Sequence, residues 1–292
     1  MAKDLMSMFQ ELDDATVEKK SREIILRAPF SYPGGKAKSV LSIIPHLPYK
    51  RSYIEPFGGA ASILLARQSS ELEVFNDRFA GVVALYRCLR DSEKSRLLSK
   101  RLEMIVSARE EFVWCKTTWE NHKDDVERAA RWYYMVMNSF SSLGRNFGRS
   151  TSGKQQAGKI HNHLQYFDQL HQRLKFVLIE NQDYGMMLRD FDNDEAVFYL
   201  DPPYFGVARG TYKYEMTNDE HRHMLNTVMN MKAFVAVSGY HNELYDSFKW
   251  DEIHEWESPV SIRPMAFHEE NNKATGEAAQ RDSATEVLYV KH

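Results

Sequence analysis

Hydrophobic and polar positions follow two patterns that alternate along the chain. Short β-prone runs, several of them continuously apolar, occur at 51–55, 72–76, 175–180, 196–201, 234–238, 250–256 and 286–290. Between most of them lie stretches with the period of an amphipathic helix, at 38–46, 60–69, 79–89, 183–190 and 219–231. This alternation predicts an α/β fold with a mainly parallel sheet covered by helices on both faces.

One long segment interrupts the alternation. Residues 85–134 are charged and helical in period and carry no strand pattern, and residues 138–163 are rich in Ser, Gly, Asn and Gln. The second stretch is typical of a loop or β-hairpin. We therefore expect a helical and hairpin insert over 89–174 within a core domain made of 29–88 and 175–292. Residues 1–28 are expected to form an arm or surface helix.

The composition narrows the class of protein. The chain has 292 residues, of which 43% are hydrophobic and 12% aromatic, so it is not a disordered chain. A net charge of −3 excludes a wholly basic nucleic-acid coat protein. Cys88 and Cys115 cannot make a disulfide scaffold or a Cys-based zinc site. No apolar run has the length of a membrane helix, and the first residues do not resemble a signal peptide, so we expect a cytoplasmic protein.

The net charge is unevenly distributed. Residues 128–175 hold eight basic residues and one acidic residue, a net +7, which leaves −10 for the rest of the chain. Chance clustering on a solvated face would explain such a segment. The Ser-, Gly- and Asn-rich composition within it favours instead a polyanion-binding insert that reaches phosphates and base edges.

Polar side chains follow two of the predicted strands. Glu55 ends the first strand and precedes a turn rich in small residues, Gly58-Gly59-Ala60-Ala61, that leads into a helix. A carboxylate there disfavours a nucleotide phosphate and suits an ammonium or sulfonium group. Asp77 ends the next strand at a spacing suited to ribose hydroxyls, although it is equally suited to capping the following helix. Together they indicate a nucleoside ligand.

A third strand end carries the strongest signal. Asp201, Pro202, Pro203 and Tyr204 follow a buried strand. Each proline removes a backbone donor and fixes φ, so the loop is rigid and presents carbonyl groups. Such a loop suits a planar exocyclic amine: Asp201 accepts one hydrogen, the Pro202 carbonyl accepts the other, and Tyr204 stacks on the ring.

These motifs, in this order, resemble the Dam-like family of S-adenosylmethionine-dependent DNA adenine-N6 methyltransferases, from about residue 29 to the end of the chain. The further motifs that match the family are Phe30-Ser31-Tyr32-Pro33-Gly34-Gly35-Lys36, Asn76-Asp77, Gln182-Asp183-Tyr184, Val237-Ser238-Gly239-Tyr240 and Thr285-Glu286-Val287-Leu288-Tyr289. Two positions depart from the family: Ala61 stands for a glycine of the Gly-rich loop, and Tyr32 stands for a common tryptophan.

The resemblance implies a Rossmann-like methyltransferase with a mixed, mostly parallel seven-stranded sheet and a target-recognition insert. It implies methyl transfer from S-adenosylmethionine to N6 of an adenine flipped out of double-stranded DNA, with no covalent enzyme intermediate. The spacing of His161, His163 and His171 fits no common metal site, so no metal is expected. The resemblance implies Asp201, Pro202, Pro203 and Tyr204 as catalytic residues. The expected cofactor contacts are Tyr32, Gly35, Lys36, Glu55, Phe57, Gly58, Gly59, Asp77, Asp183, Tyr184 and Asp201.

The expected DNA contacts are Arg145, Asn146, Arg149, Lys154 and Lys159, with Gln155 or Gln156 as a further base reader. No obligatory protein partner is evident, and the target sequence cannot be carried over. The alternatives are a cytosine-N4 or RNA adenine methyltransferase with the same pocket and an inactive DNA-binding relative. A nucleotide-dependent oxidoreductase is disfavoured by Glu55.

Overall fold

The protein is described by a computed structural model that covers residues 26–32, 34–142, 144–148, 158–206, 214–259 and 283–292. Its strands are β1 (Ser52–Glu55), β2 (Leu72–Asn76), β3 (Leu178–Glu180), β4 (Ala196–Leu200), β5 (Phe234–Gly239), β6 (Glu252–Pro259) and β7 (Ser283–Lys291). Its helices are α1 (Val40–Ile43), α2 (Ser62–Ala66), α3 (Ala80–Arg90), α4 (Ser92–Glu103), α5 (Arg109–Thr118), α6 (Asp125–Met137), α7 (Gly158–Leu164), α8 (Phe167–Leu174), α9 (Tyr184–Asp190), α10 (Asn218–Met229) and α11 (Glu243–Asp246).

The strands form one mixed sheet in the order β3-β2-β1-β4-β5-β7-β6. Strands β1 to β5 are parallel, and β7 lies antiparallel between β5 and β6. The predicted α/β fold with a mostly parallel seven-stranded sheet is therefore confirmed. Each predicted strand run overlaps one strand of the sheet. Among the described residues, no helix combines the length and apolar character needed to span a bilayer.

Continuous apolar strands are explained by helices on both faces of the sheet. Tyr53 of β1 packs in one hydrophobic cluster with Phe75 of β2 and residues of α2, α3 and α6. Its neighbour Ile54 points to the other face and packs with residues of α9 and α10. Because successive side chains of a strand alternate between faces, a strand covered on both sides is apolar throughout. All five residues of β4 are buried for this reason.

The helices between β2 and β3 contribute to the hydrophobic cluster that contains Tyr53 and Phe75, the first core. Trp132 of α6 is fully buried, and it lies so close to Gly81 of α3 that an added Cβ at Gly81 would be 2.3 Å from its indole nitrogen. Asp124 caps α6 by accepting a hydrogen bond from the Glu127 N–H. The insert helices are thus packed on the sheet rather than tethered beside it.

The predicted loop or hairpin over residues 138–163 is only partly correct. Ser139 and Phe147 form one antiparallel bridge, and a 3-10 turn at Phe140–Ser142 lies between them in the chain. Residues 158–164, which the composition assigned to the loop, form helix α7 instead. Ile160 of α7 is buried in the first core, and this packing outweighs the poor helix propensity of the Gly, Asn and His residues around it. Arg149, Lys154, Gln155 and Gln156 lie outside the described residues.

Candidate active site

A cleft lies at the carboxyl ends of β1, β2 and β4, and it encloses about 1040 Å³, including space open to solvent. The carboxyl ends of parallel strands are where open α/β sheets bind ligands. Sequence-predicted residues that line it are Tyr32, Gly35, Lys36, Glu55, Phe57, Gly58, Gly59, Asp77, Tyr184, Asp201, Pro202 and Pro203. The fold therefore brings together groups that are separated by up to 171 positions in the chain.

The Gly-rich turn after β1 is shaped by close contacts. An added Cβ at Gly58 would lie 2.1 Å from the Phe75 ring, so no other residue fits there without moving that ring. Gly59 has a φ of +49°, in the left-handed region that favours glycine. Ala61 also takes this conformation, with a φ of 54°, just before α2 begins. The position at which the related family has glycine is therefore one that strains an alanine.

Asn76 and Asp77 hold three strand ends together. The Asn76 amide donates hydrogen bonds to the carbonyls of Pro56 and Gln182, and its oxygen accepts one from the Gln182 N–H. Asp77 accepts from the N–H groups of Gly59 at 2.8 Å and Phe79 at 2.6 Å. Asp77 therefore organises the Gly-rich turn and the start of the next helical segment. Burial raises its pKa to about 6.

Asn76 was not among the predicted site residues. An asparagine at a strand end is an ordinary turn residue in a sequence, and its partners at Pro56 and Gln182 are 20 and 106 positions away. Only the parallel arrangement of β1, β2 and β3 makes them neighbours. The same holds for other lining residues that carried no sequence signal: Arg78, Phe79, Tyr214, Met216 and Glu220.

Glu55 is a buried carboxyl group at the base of the cleft. It is 2% exposed, and it accepts a hydrogen bond of 2.7 Å from the Tyr53 hydroxyl. Burial raises the pKa of Glu55 to about 8, although the Tyr53 hydrogen bond acts in the opposite direction. Since the ionised form is costly in this setting, a cationic ligand beside it would be favoured.

Asp201, directly after β4, faces an ammonium group. The Lys36 Nζ donates hydrogen bonds to Asp201 Oδ2 at 2.9 Å and to the Gly34 carbonyl at 2.7 Å. It also lies 2.8 Å from Asp201 Oδ1, but this second contact is an ion pair without hydrogen-bond geometry. Within the described part of the chain, Oδ1 is a buried acceptor without a hydrogen-bond donor. Burial raises the pKa of Asp201 to about 6, and Lys36 opposes that rise.

Tyr204 lies beneath the loop rather than on the cleft surface. It is 7% exposed, and its hydroxyl donates a 2.6 Å hydrogen bond to Oε2 of Glu286. The Lys36 ammonium lies 4.7 Å from the centre of its ring, and Tyr240 meets the ring edge-to-face. The predicted stacking of a base on Tyr204 stays a prediction.

The motif after β3 divides into two roles. Asp183 is exposed and accepts a hydrogen bond from the Gly185 N–H, so it caps helix α9. Tyr184 lines the cleft and stacks on Phe57, with ring centres 5.0 Å apart. The rings of Tyr184 and Phe57 form an aromatic wall of the cleft. That Asp183 itself contacts a cofactor stays a prediction, as does the predicted contact of Lys36 with the cofactor.

The basic residues of 128–175 do not form one uniform face. Arg173 pairs with the buried Glu73 in the core, and Arg131 pairs with Glu127 while covering the Trp114 ring at 3.9 Å. Lys159 is half-buried and donates to the Met137 carbonyl, and burial lowers its pKa. Since these cations have partners within the protein, the exposed charge is smaller than the count of residues predicts.

Arg145 and Asn146, two of the predicted DNA contacts, are exposed. They lie in the short loop between Ser139 and Phe147, which is fastened at both ends. The Phe140 N–H donates to the Asn146 carbonyl, and Lys116 of α5 donates to the Arg145 carbonyl at 2.6 Å. The backbone of this loop is therefore held against the insert helices.

Comparison with known proteins agrees with this geometry. Residues 32–262 match the D12 class N6 adenine-specific DNA methyltransferases. The chain belongs to this family. It is also similar to the Type II methyltransferase M.CviBI of Paramecium bursaria Chlorella virus NC1A, with 23% identity over 227 residues that cover 74% of this chain and 85% of the relative.

The protein is therefore an enzyme, a DNA methyltransferase specific for adenine N6, and the resemblance drawn from the motifs is confirmed. Its substrate is DNA, and its reaction requires a methyl donor. An adenine-specific family is consistent with an aspartate, Asp201, before the two prolines. The matched segment contains the whole cleft from Tyr32 to Glu220.

Proposed function

We propose that this methyltransferase transfers the methyl group of S-adenosylmethionine to N6 of an adenine that has been flipped out of double-stranded DNA at a specific site. The observation that carries the proposal is Asp201. Its carboxylate lies at the cleft wall directly before Pro202 and Pro203, and both of its oxygens lie within 2.9 Å of the Lys36 ammonium. A carboxylate held in this way next to a rigid loop is a fixed acceptor for an amine hydrogen.

The residues of the cleft fit this cofactor. Glu55 offers a buried carboxyl group to a cationic amino acid end, and Asp77 retains lone pairs for ribose hydroxyls beyond its two backbone hydrogen bonds. Phe57 and Tyr184 offer aromatic surface to an adenine ring. When bound, the cofactor supplies a methyl group on a positively charged sulfur. These assignments also include Tyr32, Gly35 and Gly58 as parts of the cleft wall.

The chain's own groups prepare the amine. The lone pair of an adenine amine is delocalised into the ring, so the nitrogen is a weak nucleophile. When Asp201 accepts one hydrogen and the Pro202 carbonyl accepts the other, the nitrogen can become pyramidal and its lone pair can point toward the methyl group. Pro202 and Pro203 hold this frame rigid, and much of the acceleration comes from such positioning.

Direct transfer also requires that the adenine leave the stacked duplex, since its amine is not accessible there. We assign 29–88 and 175–292 to catalysis and cofactor binding and 89–174 to DNA recognition. Arg145 and Asn146 are the exposed candidates for phosphate and base contacts. Arg149 and Lys154 remain candidates from the sequence, whereas Lys159 would first have to leave the Met137 carbonyl.

The test uses purified protein, S-adenosylmethionine with a labelled methyl group, and double-stranded genomic DNA free of adenine methylation. We expect label in N6-methyladenine, identified after digestion to nucleosides. Asp201→Asn keeps the size of the side chain but loses the carboxylate, and it should abolish transfer while retaining cofactor binding. Asp190→Asn, on an exposed helix end, is the matched control and should transfer normally. Label in cytosine alone, or no label in the DNA, would contradict the proposal, as would full activity of Asp201→Asn.

A further inference from the structure

Glu286 is a buried acid among the buried apolar residues of β7. In β7 the residues Ala284, Val287, Leu288 and Tyr289 are buried, and Glu286 itself is 8% exposed. β7 is paired on both sides, with Glu286 opposite Trp256 of β6 and Val287 opposite Gly239 of β5. An acid is not needed for such pairing, and burying one is costly unless it is hydrogen-bonded.

The acid lies against the catalytic loop. Its Oε2 accepts the 2.6 Å hydrogen bond from the Tyr204 hydroxyl, across 82 positions of sequence. This distance lies at the short end of the range for O–H···O hydrogen bonds. Tyr204 follows Pro203 directly, so a fixed hydroxyl fixes the ring and one end of the Asp201–Tyr204 loop.

The surrounding charged and titratable groups are already engaged. Lys36 binds Asp201, and the Tyr199 hydroxyl shares a hydrogen bond of 2.8 Å with Ser238. Tyr240 packs edge-to-face on the Tyr204 ring. The mechanism proposed above uses Asp201 and Pro202 but gives no task to Glu286.

We propose that Glu286 is a positioning residue for methyl transfer: its hydrogen bond to the Tyr204 hydroxyl holds the Tyr204 ring and the Asp201–Pro202 acceptors in the geometry that receives the target amine. This inference rests on the proposed function. Strand β7 holds Glu286 in place, because its pairing with β5 on one side and β6 on the other fixes the position of Glu286 relative to the rest of the sheet.

The test is a double-mutant cycle with Glu286→Gln and Tyr204→Phe in the full chain. Each single variant should lower kcat by about 10- to 100-fold, the range for loss of a hydrogen bond to a charged group. The affinity for S-adenosylmethionine, measured by calorimetry, should change little, since neither side chain lines the cleft. The double variant should be no slower than the slower single variant, because both substitutions remove the same bond.

Glu257→Gln is the matched control. Glu257 is an exposed acid of β6 that accepts a hydrogen bond from Thr285, the neighbour of Glu286, and the variant should keep wild-type kcat. The positioning role would be refuted by a wild-type kcat in Glu286→Gln, or by losses that simply multiply in the double variant. If Glu286→Gln is unfolded at the assay temperature, a wild-type kcat in Tyr204→Phe refutes it equally. An inactive wild-type protein would instead contradict the proposed function itself.

Discussion

Glu55→Gln tests how the cleft attracts a cationic cofactor. Because burial raises the pKa of Glu55 to about 8, roughly one carboxyl in ten is ionised at pH 7. A ligand that binds the ionised form then loses about 1.4 kcal/mol, or about tenfold in affinity, relative to high pH. The affinity of the wild-type protein for S-adenosylmethionine should therefore rise as the pH increases from about 6.5 to 8, with up to one proton released per site.

In Glu55→Gln we expect this pH dependence to disappear and the affinity to fall by about 10- to 100-fold at pH 8, the range for a lost charged hydrogen bond. The assay is calorimetric titration in two buffers of different ionisation enthalpy, which reports proton release directly. Glu71→Gln, an exposed acid paired with Arg51, is the control. An affinity of the wild-type protein that is flat over this range, or a Gln variant that retains the slope, would refute the reasoning.

The same substitution has the opposite expected effect on stability. The pKa of Glu55 is higher in the folded protein than in the unfolded chain, so the folded state binds more protons between about pH 4.5 and 8. The free energy of unfolding therefore decreases as pH rises through this window. Without cofactor, Glu55→Gln should melt at a higher temperature than the wild-type protein at pH 8, whereas the two should differ less at pH 5.

Two further substitutions give separate readouts. Lys36→Met removes the cation that opposes the rise in the pKa of Asp201. Single-turnover assays across pH should therefore show that the loss of activity at low pH, which lies near pH 6 in the wild-type protein, moves up by about 1 to 3 pH units. An unchanged pH profile would contradict this role of Lys36. Ala61→Gly removes left-handed strain of about 1–2 kcal/mol, against an entropic cost of about 0.5–1 kcal/mol and the loss of a buried methyl group worth about 0.8 kcal/mol. These contributions nearly cancel, so calorimetry should show a melting temperature close to that of the wild-type protein, and a large decrease would show that Ala61 is not strained.

The strands and most helices could be predicted because their residues carry a period that reflects burial. The run at 196–201 is apolar up to Leu200 because β4 is covered on both faces, and the structure ends that strand at Leu200, one residue before Asp201. Helix α7 could not be predicted in the same way. Its sequence is polar and rich in Gly, Asn and His, and it is held by the burial of Ile160, which is a tertiary effect.

The candidate site was predictable where the chemistry lies within one motif. Glu55, Asp77 and Asp201 stand at strand ends, and parallel strands bring such ends together. Contacts between distant segments were not predictable, since nothing local distinguishes them. The Lys36–Asp201 pair spans 165 positions, and the Arg173–Glu73 pair spans 100. The second pair also explains why a count of basic residues overestimated the exposed charge.

The close contact between Gly81 and Trp132 has a consequence for the redesign of target specificity. Helix α6 belongs to the same core as α3, and α3 follows directly after the cleft residues Asp77 and Phe79. Exchanging residues 89–174 as a whole would therefore remove the side chains of α6 that pack on α3, the helix next to the cleft. We expect transplanted loops to be tolerated when the junction is placed beyond the end of helix α6 at Met137 and the buried residues Asn138 and Ser139 are kept.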